Sequence, residues 1–223
     1  MRIISKIWMK VVIVNRLCLI LIISTLIVGA YAADPGDRQL LERLSDYYYA
    51  KTPLVLTFEI IQYFDEADSQ SLIGTFYMSS ADKFRTDFID QEIIFDGEWL
   101  WSWDQENDQV VVETLDPQSS LKFIYDMLRG NWESFIINRM DSIQTDSLTV
   151  MELRTADENA YFKIIHLNIN TTTKELLSAD YLDYKDGKTE IRFSSPERLD
   201  KESGQTFFDT KRYENKEIID LRP

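Results

Sequence analysis

Few side chains in this 223-residue sequence have the types and spacing that catalysis or metal binding requires. The only histidine, His166, lies in a strand-like pattern, where a surface or hydrogen-bonded core position is more common than a catalytic one. The only cysteine, Cys18, lies in an N-terminal apolar run, so the rest of the chain has no thiol for catalysis, metal binding or a disulfide. Because the chain has 38 acidic residues, pairs such as Asp87 and Asp90 arise by chance and indicate solvated turns.

Sequence motifs for the common reactions are also absent. The chain has no GxxxxGK(S/T) nucleotide loop, no HExxH zinc motif and no GxSxG nucleophile motif. Two carboxylates that face each other across a cleft could still hydrolyse a glycoside, so an enzyme stays open as an alternative. We predict a protein without enzymatic activity, cofactor or metal ion.

The chain is strongly acidic, with a formal net charge of −14 at pH 7. Residues 1–32 contain four basic and no acidic side chains, so the remainder carries −14 minus 4, or −18. Phosphate backbones and anionic lipid head groups would repel such a surface. We therefore predict no nucleic acid partner and no electrostatic attachment to membranes.

Residues 1–32 have the features of an export signal. A basic start precedes an apolar run over residues 17–28, and residues 30–32 form an A-x-A cleavage pattern. The run is shorter than the roughly 20 residues that span a membrane. Cleavage before Ala33 would release a soluble protein into the periplasm, and no cysteine follows the run to carry a lipid anchor. Met9 is an alternative start, because a shorter leader of the same type follows it.

Aromatic and aliphatic side chains dominate the remainder, above all in residues 74–104. Their alternation predicts four antiparallel strands, with a hairpin turn at Gly97 and with Trp99, Trp101 and Trp103 on one strand face. The same alternation predicts further strands at residues 54–64, 109–114, 148–154, 161–169, 176–184 and 188–193, and a short one near Phe207 and Phe208.

Three helices are predicted beside these strands. Residues 37–49 have apolar side chains at helical spacing. Ser119 or Ser120 can cap a second helix that Gly130 ends, and Asn131 can cap a third. The apolar sides of the last two helices need a partner, and the aromatic face of the sheet is the large apolar surface available.

The order of these features resembles the periplasmic outer-membrane lipoprotein carrier family, LolA. The shared features extend over roughly residues 37–210 and include a glycine before an aromatic strand, a turn, a Phe-Arg strand, and an Asp-Gly hairpin followed by Leu-Trp. The resemblance implies one domain over residues 33–223 with a mainly β (α+β) fold. That fold is an incomplete antiparallel β-barrel with an N-terminal helix and a helical lid over a hydrophobic cavity.

The predicted lining of this cavity combines aromatic and flexible apolar side chains, which adapt to acyl chains of variable shape. Each member taken alone is typical of an ordinary core, so the prediction depends on the whole set. The set comprises Phe58, Ile60, Phe76, Met78, Phe84, Phe88, Trp101, Trp103, Phe123, Met127 and Phe135.

The resemblance implies a periplasmic chaperone that carries acylated lipoproteins. We expect a monomer that receives them from an inner-membrane lipoprotein-releasing transporter complex and passes them to an outer-membrane acceptor. An acyl chain gains roughly 0.8 kcal/mol per buried CH₂, so it cannot leave a bilayer for water without a cavity. Since the chain has no nucleotide motif, the donor complex would drive loading, and an acceptor with higher affinity would drive unloading.

One turn departs from the family pattern. The family has an arginine after the first aromatic strand that bonds lid carbonyls and holds the empty cavity closed, whereas Ser80 and Ala81 stand here. Because a serine side chain is too short for that contact, we expect a loosely held lid unless Arg85 or Lys83 substitutes. The resemblance also places Phe84 at the cavity mouth, where the donor complex would touch.

Two other functions stay open on the sequence alone. A lipid- or lipoprotein-binding sensor module could use the same half-barrel, and we would expect a second domain or a membrane span after it. An exported β-sandwich interaction protein without lipid cargo would have the same strand content but would bind no acyl chain.

Overall fold

The computed structural model describes residues 35–64, 68–79, 82–140, 145–155, 160–183, 187–200 and 206–223. These residues belong to one compact unit, Asp34–Pro223. The predicted export signal and its cleavage site lie outside the described residues, as does Ser80.

The described chain consists mainly of strands, with two α-helices. Helix α1 spans Pro35–Ala50 and helix α2 spans Ser120–Arg129. A short 3-10 helix, Thr210–Tyr213, precedes the last strand. The strands are β1 Leu54–Tyr63, β2 Ser69–Met78, β3 Phe84–Asp87, β4 Gln91–Phe95, β5 Leu100–Asp104, β6 Gln109–Glu113, β7 Phe135–Arg139, β8 Leu148–Thr155, β9 Ile164–Asn170, β10 Glu175–Leu182, β11 Lys188–Phe193, β12 Glu197–Arg198 and β13 Glu217–Asp220.

All thirteen described strands belong to one sheet. The order is β13-β6-β5-β4-β3-β2-β1-β11-β10-β9-β8-β7, with β12 paired to β1 beside this path. Neighbours are antiparallel except for β13, which runs parallel to β6. Strands β7 and β13 end the sheet and do not pair with each other within the described chain, so the barrel is incomplete. The predicted fold class is confirmed.

Strand alternation gives the sheet an apolar inner face. Leu56 and Phe58 on β1 are buried, whereas Thr57 between them is exposed on the other side. Leu56 lies opposite Phe76 on β2, so the buried residues of successive strands share one face. We call the face that carries Phe58 and Phe76 the inner face and the opposite one the outer face. Both helices pack on the inner face.

Helix α1 forms where the sequence predicts it. Leu41, Leu44 and Tyr48 are buried along one side of the helix. The Tyr48 hydroxyl accepts a hydrogen bond from the backbone N–H of Leu176 on β10 at 3.1 Å. This contact satisfies a polar group that would otherwise be buried without a partner, and it holds α1 against the sheet.

Helix α2 is the predicted second helix, with both ends capped. The Ser119 side chain accepts a hydrogen bond from the N–H of Lys122, and Gly130 ends the helix in the left-handed region at φ +83°. The third helix, predicted after Asn131, was wrong. Residues Phe135–Arg139 form strand β7, which is antiparallel to β8. Three consecutive apolar residues fit either structure, and the backbone partners that β8 supplies favour the strand.

The C-terminal region also differs from the prediction. The short strand predicted near Phe207 and Phe208 was wrong, because a turn and the 3-10 helix occupy this region. The side chain of Asp209 accepts a hydrogen bond from the N–H of Lys211 at 3.1 Å and so starts that helix. The strand forms further on as β13, and Leu221 follows it.

Candidate functional site

The inner face carries a continuous layer of aromatic rings. Phe58 contacts Phe76 and Phe88 edge to face, with ring centroids 6.5 and 5.9 Å apart. Phe84 stacks on Phe76 at 5.3 Å and on Phe95 at 5.4 Å. Four members of the predicted lining therefore lie side by side on neighbouring strands.

Helix α2 lies on this layer and closes most of it. Tyr125 contacts the Phe84 ring at 5.3 Å, and Phe123 contacts Tyr181 of β10 at 4.8 Å. The helix and sheet side chains fill the space between them, so most of the predicted lining forms a closed core in this state. The members that are at most 2 % exposed are Phe58, Phe76, Met78, Phe84, Phe123 and Met127.

Open space lies at one end of the layer, between the start of α2 and the β1–β2 hairpin. We call this space the cleft. It has a volume of about 290 Å³ and opens to solvent. Ile60 and Phe88 are the members of the predicted lining that border it. Among the described residues, no charged side chain lines the cleft, whose lining residues are Ile60, Gln62, Gln70, Ser71, Leu72, Phe88, Ser119, Ser120 and Leu121.

Gly74 lies where the cleft meets the aromatic layer, and its lack of a side chain leaves room for two aromatic rings. It lies opposite Phe58 in the β1–β2 ladder. A Cβ atom at this position would lie 2.7 Å from Cζ of Phe58 and 2.8 Å from Cε1 of Phe88. Carbon atoms in contact are about 3.5–4.0 Å apart, so the two rings can lie on this backbone because residue 74 has no side chain.

Trp101 and Trp103 lie on the outer face, away from the other predicted lining residues. Trp101 lies opposite Ile94, and both point away from the face that carries Phe84. The two tryptophans pack against Tyr213, with ring centroids 6.3 and 6.2 Å apart. They thus hold the C-terminal segment, residues 206–223, on the outside of the sheet.

Phe135, the last member of the predicted lining, lies on β7 and is half-buried. Five steps in the sheet order separate β7 from β1, the strand of Phe58 and Ile60. The lid helix that would have brought Phe135 over the cavity is a strand instead, so this residue does not border the cleft.

A carboxylate and an arginine join the β2–β3 turn to the C-terminal end of α2. Arg129 forms an ion pair with Asp82, and the Tyr125 hydroxyl donates to the same carboxylate at 3.3 Å. Burial raises the pKa of Tyr125 to about 12, so its hydroxyl keeps its proton at neutral pH. We call Asp82, Tyr125 and Arg129 the turn–helix link.

The link uses residues other than those predicted to latch the lid. Ser80 lies outside the described residues, so its expected role is a prediction still. Arg85 points to the outer face, where it pairs with Asp87 at 2.6 Å and with Glu92 at 2.5 Å. Phe84 is fully buried under α2, so a donor complex could touch it only after α2 moves.

The described residues offer little for chemistry of other kinds. No three or more of their His, Cys, Asp or Glu side chains are grouped to hold a metal ion. Among them there is no helix with the length and apolar character needed to cross a membrane. His166 lies at the surface of β9, with Nδ1 2.9 Å from Oδ2 of Asp180 on the neighbouring strand.

The sequence matches the family model of the outer membrane lipoprotein carrier protein LolA over residues 61–208. This range covers about two thirds of the chain and includes α2 and, apart from Phe58 and Ile60, the aromatic layer and the cleft. The chain belongs to the LolA family. The resemblance inferred from the order of strands and turns is thereby confirmed. No curated protein sequence matches this chain at a significant level.

The chain is also similar to solved structures of low sequence identity. An uncharacterized conserved protein from Thermus thermophilus has 11 % identity and a TM-score of 0.51, covering 80 % of this chain and 98 % of its own. A LolA superfamily protein from Nitrosomonas europaea has 11 % identity and a TM-score of 0.45, and the match covers 79 % of this chain and 98 % of that protein. A chain of the Pseudomonas aeruginosa MucA/MucB complex has 10 % identity and a TM-score of 0.36, and the match covers 76 % of this chain and 60 % of that one.

The polar residues of the cleft were not predicted as site residues. Gln62 and Gln70 lie opposite each other in the β1–β2 ladder, and Ser119 and Ser120 begin α2. The caps at Ser119 or Ser120 were visible in the sequence as a helix start. What the sequence did not indicate is that this helix start lies against the β1–β2 hairpin.

Proposed function

We propose that this protein is a periplasmic carrier that binds the acyl chains of lipoproteins. The observation that carries the proposal is a cleft whose described lining residues are all uncharged and which continues into the aromatic layer under α2, in a member of the LolA family. An acyl chain needs an apolar, water-free surface, and charged side chains at its entrance would oppose it. The same arrangement supports binding rather than catalysis.

The size of the apolar contact under α2 supports a mechanism in which an incoming acyl chain replaces the contacts between α2 and the sheet. Five side chains of this ten-residue helix are buried, and each stabilises the closed state by about 1.5–3 kcal/mol. Lifting the helix fully would therefore cost on the order of 10 kcal/mol. A C16 acyl chain gains a similar amount, at roughly 0.8 kcal/mol per CH₂. An acyl chain that replaces these contacts would be held moderately, as a carrier requires.

Entry from the cleft is the route that the contacts favour. The C-terminal end of α2 is joined to the β2–β3 turn by Asp82 and Arg129, whereas the N-terminal end borders the cleft. An acyl chain that enters past Leu121 would meet Phe88 and then the aromatic layer. Opening would thus begin at the start of α2.

The proposal includes a cellular route. The carrier would work as a monomer in the periplasm, between an inner-membrane lipoprotein-releasing complex and an outer-membrane acceptor. Its acidic surface would keep it from anionic lipid head groups and nucleic acids, and no cofactor is needed for passive binding. Residues 1–32 would be removed on export, leaving one carrier domain over residues 33–223.

A fluorescent fatty acid that reports an apolar environment tests the proposal. The parent should bind about one equivalent, and Leu121→Glu should weaken binding at least tenfold, because it places a charge at the cleft entrance. Leu177→Glu is the matched control, since Leu177 is 41 % exposed on β10 and does not line the cleft. Equal binding by all three folded proteins would refute the cleft as the acyl-chain site, and no binding by the parent would favour an interaction protein without lipid cargo.

A further inference from the structure

Strand β2 extends well beyond its neighbour β3. Strand β1 pairs with β2 over ten residues, from Ser69 to Met78. On the other side, β3 pairs with the last four only, Thr75 to Met78. In the described part of the chain, no strand pairs with residues 69–74 on that side. We call residues 69–74 the open edge.

The direction of the backbone groups identifies which residues offer hydrogen bonds there. Neighbouring residues of a strand direct their N–H and C=O groups to opposite sides. The N–H of Ser79 donates to the carbonyl of Lys83 at 2.9 Å, so odd-numbered residues of β2 face the β3 side. Ser69, Ser71 and Ile73 therefore direct three N–H and three C=O groups toward the open edge.

The open edge has neither charged side chains nor proline, two of the features that normally prevent strand pairing. Exposed edges usually carry charged side chains, proline or a bulge. Residues 69–81 contain no charged residue and no proline, although 28 % of the chain is charged. Leu72 and Ile73 are 48 % and 60 % exposed. Such a segment is suited to pairing with a further strand.

We propose that the open edge pairs with the extended polypeptide that directly follows the acylated residue of the cargo. This inference rests on the proposed function. Gln70, Ser71 and Leu72 belong both to the open edge and to the cleft lining, so an acyl chain in the cleft places its attached peptide beside the edge. The covalent link raises the effective concentration of that peptide. Backbone hydrogen bonds would then bind cargo with little regard to side chains.

Two palmitoylated probes test this inference with the full-length exported protein. One carries a single amino acid after the acyl group, and the other carries about ten uncharged residues, the usual upper length of a strand. The parent should bind the long probe at least about fivefold more tightly, since one net backbone hydrogen bond is worth about that factor. N-methylation of alternate residues in the long probe should remove this preference.

A pair of variants separates the backbone effect from the side chain. Ser71→Pro removes one N–H from the open edge, a position where proline is tolerated, and should lower the preference for the long probe to about one. Ser71→Ala keeps the N–H and should preserve the preference for the long probe. Binding of neither probe would refute the proposed function together with this inference. Equal binding of the two probes by the parent would refute this inference alone. A dimer of the parent that Ser71→Pro abolishes would also refute it, because the open edge would then pair with a second copy of the chain.

Discussion

Removal of the Asp82 carboxylate should loosen helix α2 at its C-terminal end. Asp82 accepts both the ion pair from Arg129 and the hydrogen bond from Tyr125, so the Asp82→Asn substitution weakens two contacts at once. Its backbone lies in the left-handed region at φ +56°, which asparagine also adopts readily. The substitution thus changes the charge without straining the turn.

The free energy that the ion pair between Asp82 and Arg129 contributes can be estimated from the exposure of the two side chains. The Asp82 side chain is 66 % exposed and the Arg129 side chain 19 %. Exposed ion pairs contribute about 0.2–1 kcal/mol, and the partial burial of Arg129 places this pair at the upper end of that range. A loss of about 1 kcal/mol would raise the equilibrium constant for opening about fivefold.

The assay is the rate at which a hydrophobic fluorescent probe enters the protein in a stopped-flow instrument. If uptake follows a rapid opening equilibrium, Asp82→Asn should take up the probe about fivefold faster than the parent. Raising the salt concentration should speed uptake by the parent but leave the variant unchanged, because salt screens the ion pair. Glu133→Gln, which removes an exposed carboxylate elsewhere, is the control. Equal rates for the parent and Asp82→Asn would refute a role of the turn–helix link in opening.

Three further substitutions probe the site and the outer face. Gly74→Val should displace the rings of Phe58 and Phe88 and reduce fatty acid binding, while urea unfolding shows whether the protein stays folded. Phe123→Ala should lower the free energy of unfolding by about 3–5 kcal/mol in the same urea assay. Burial and the hydrogen bond to Glu92 raise the pKa of the Tyr213 hydroxyl above its usual 10.0. Above pH 10 the unfolded chain therefore loses this proton more readily than the folded protein, so the free energy of unfolding should fall as the pH rises. Tyr213→Phe should reduce that fall in melting temperatures measured from pH 8 to 11.

Alternation in the sequence predicted the strands but not the use of their two faces. Trp101 and Trp103 were placed correctly on one strand face, and that face is the outer one. A strand with apolar residues on both sides does not reveal which side meets a helix. The cover over these tryptophans is Tyr213, which lies about 110 residues later in the chain. Contacts over such a separation leave no periodic signal.

Local signals succeeded where a capping residue or turn fixed the structure, and failed where apolar residues ran together. Ser119 and Gly130 delimited α2 because they satisfy the free backbone groups at its ends. Phe135 and Ile136 suit a helix or a strand equally, and the partner strand β8 decided between them. The cleft was not predictable, since it depends on where α2 begins relative to β1 and β2.

Native mass spectrometry of the protein purified from its own periplasm tests the carrier proposal most directly. We predict a chain that starts at Ala33 and carries about one equivalent of an acylated ligand, released on unfolding. The Leu121→Glu variant should lose that ligand, whereas Leu177→Glu should retain it. A parent that carries no acylated ligand would contradict the carrier function, and a ligand that Leu121→Glu retains in full would contradict the cleft as its binding site.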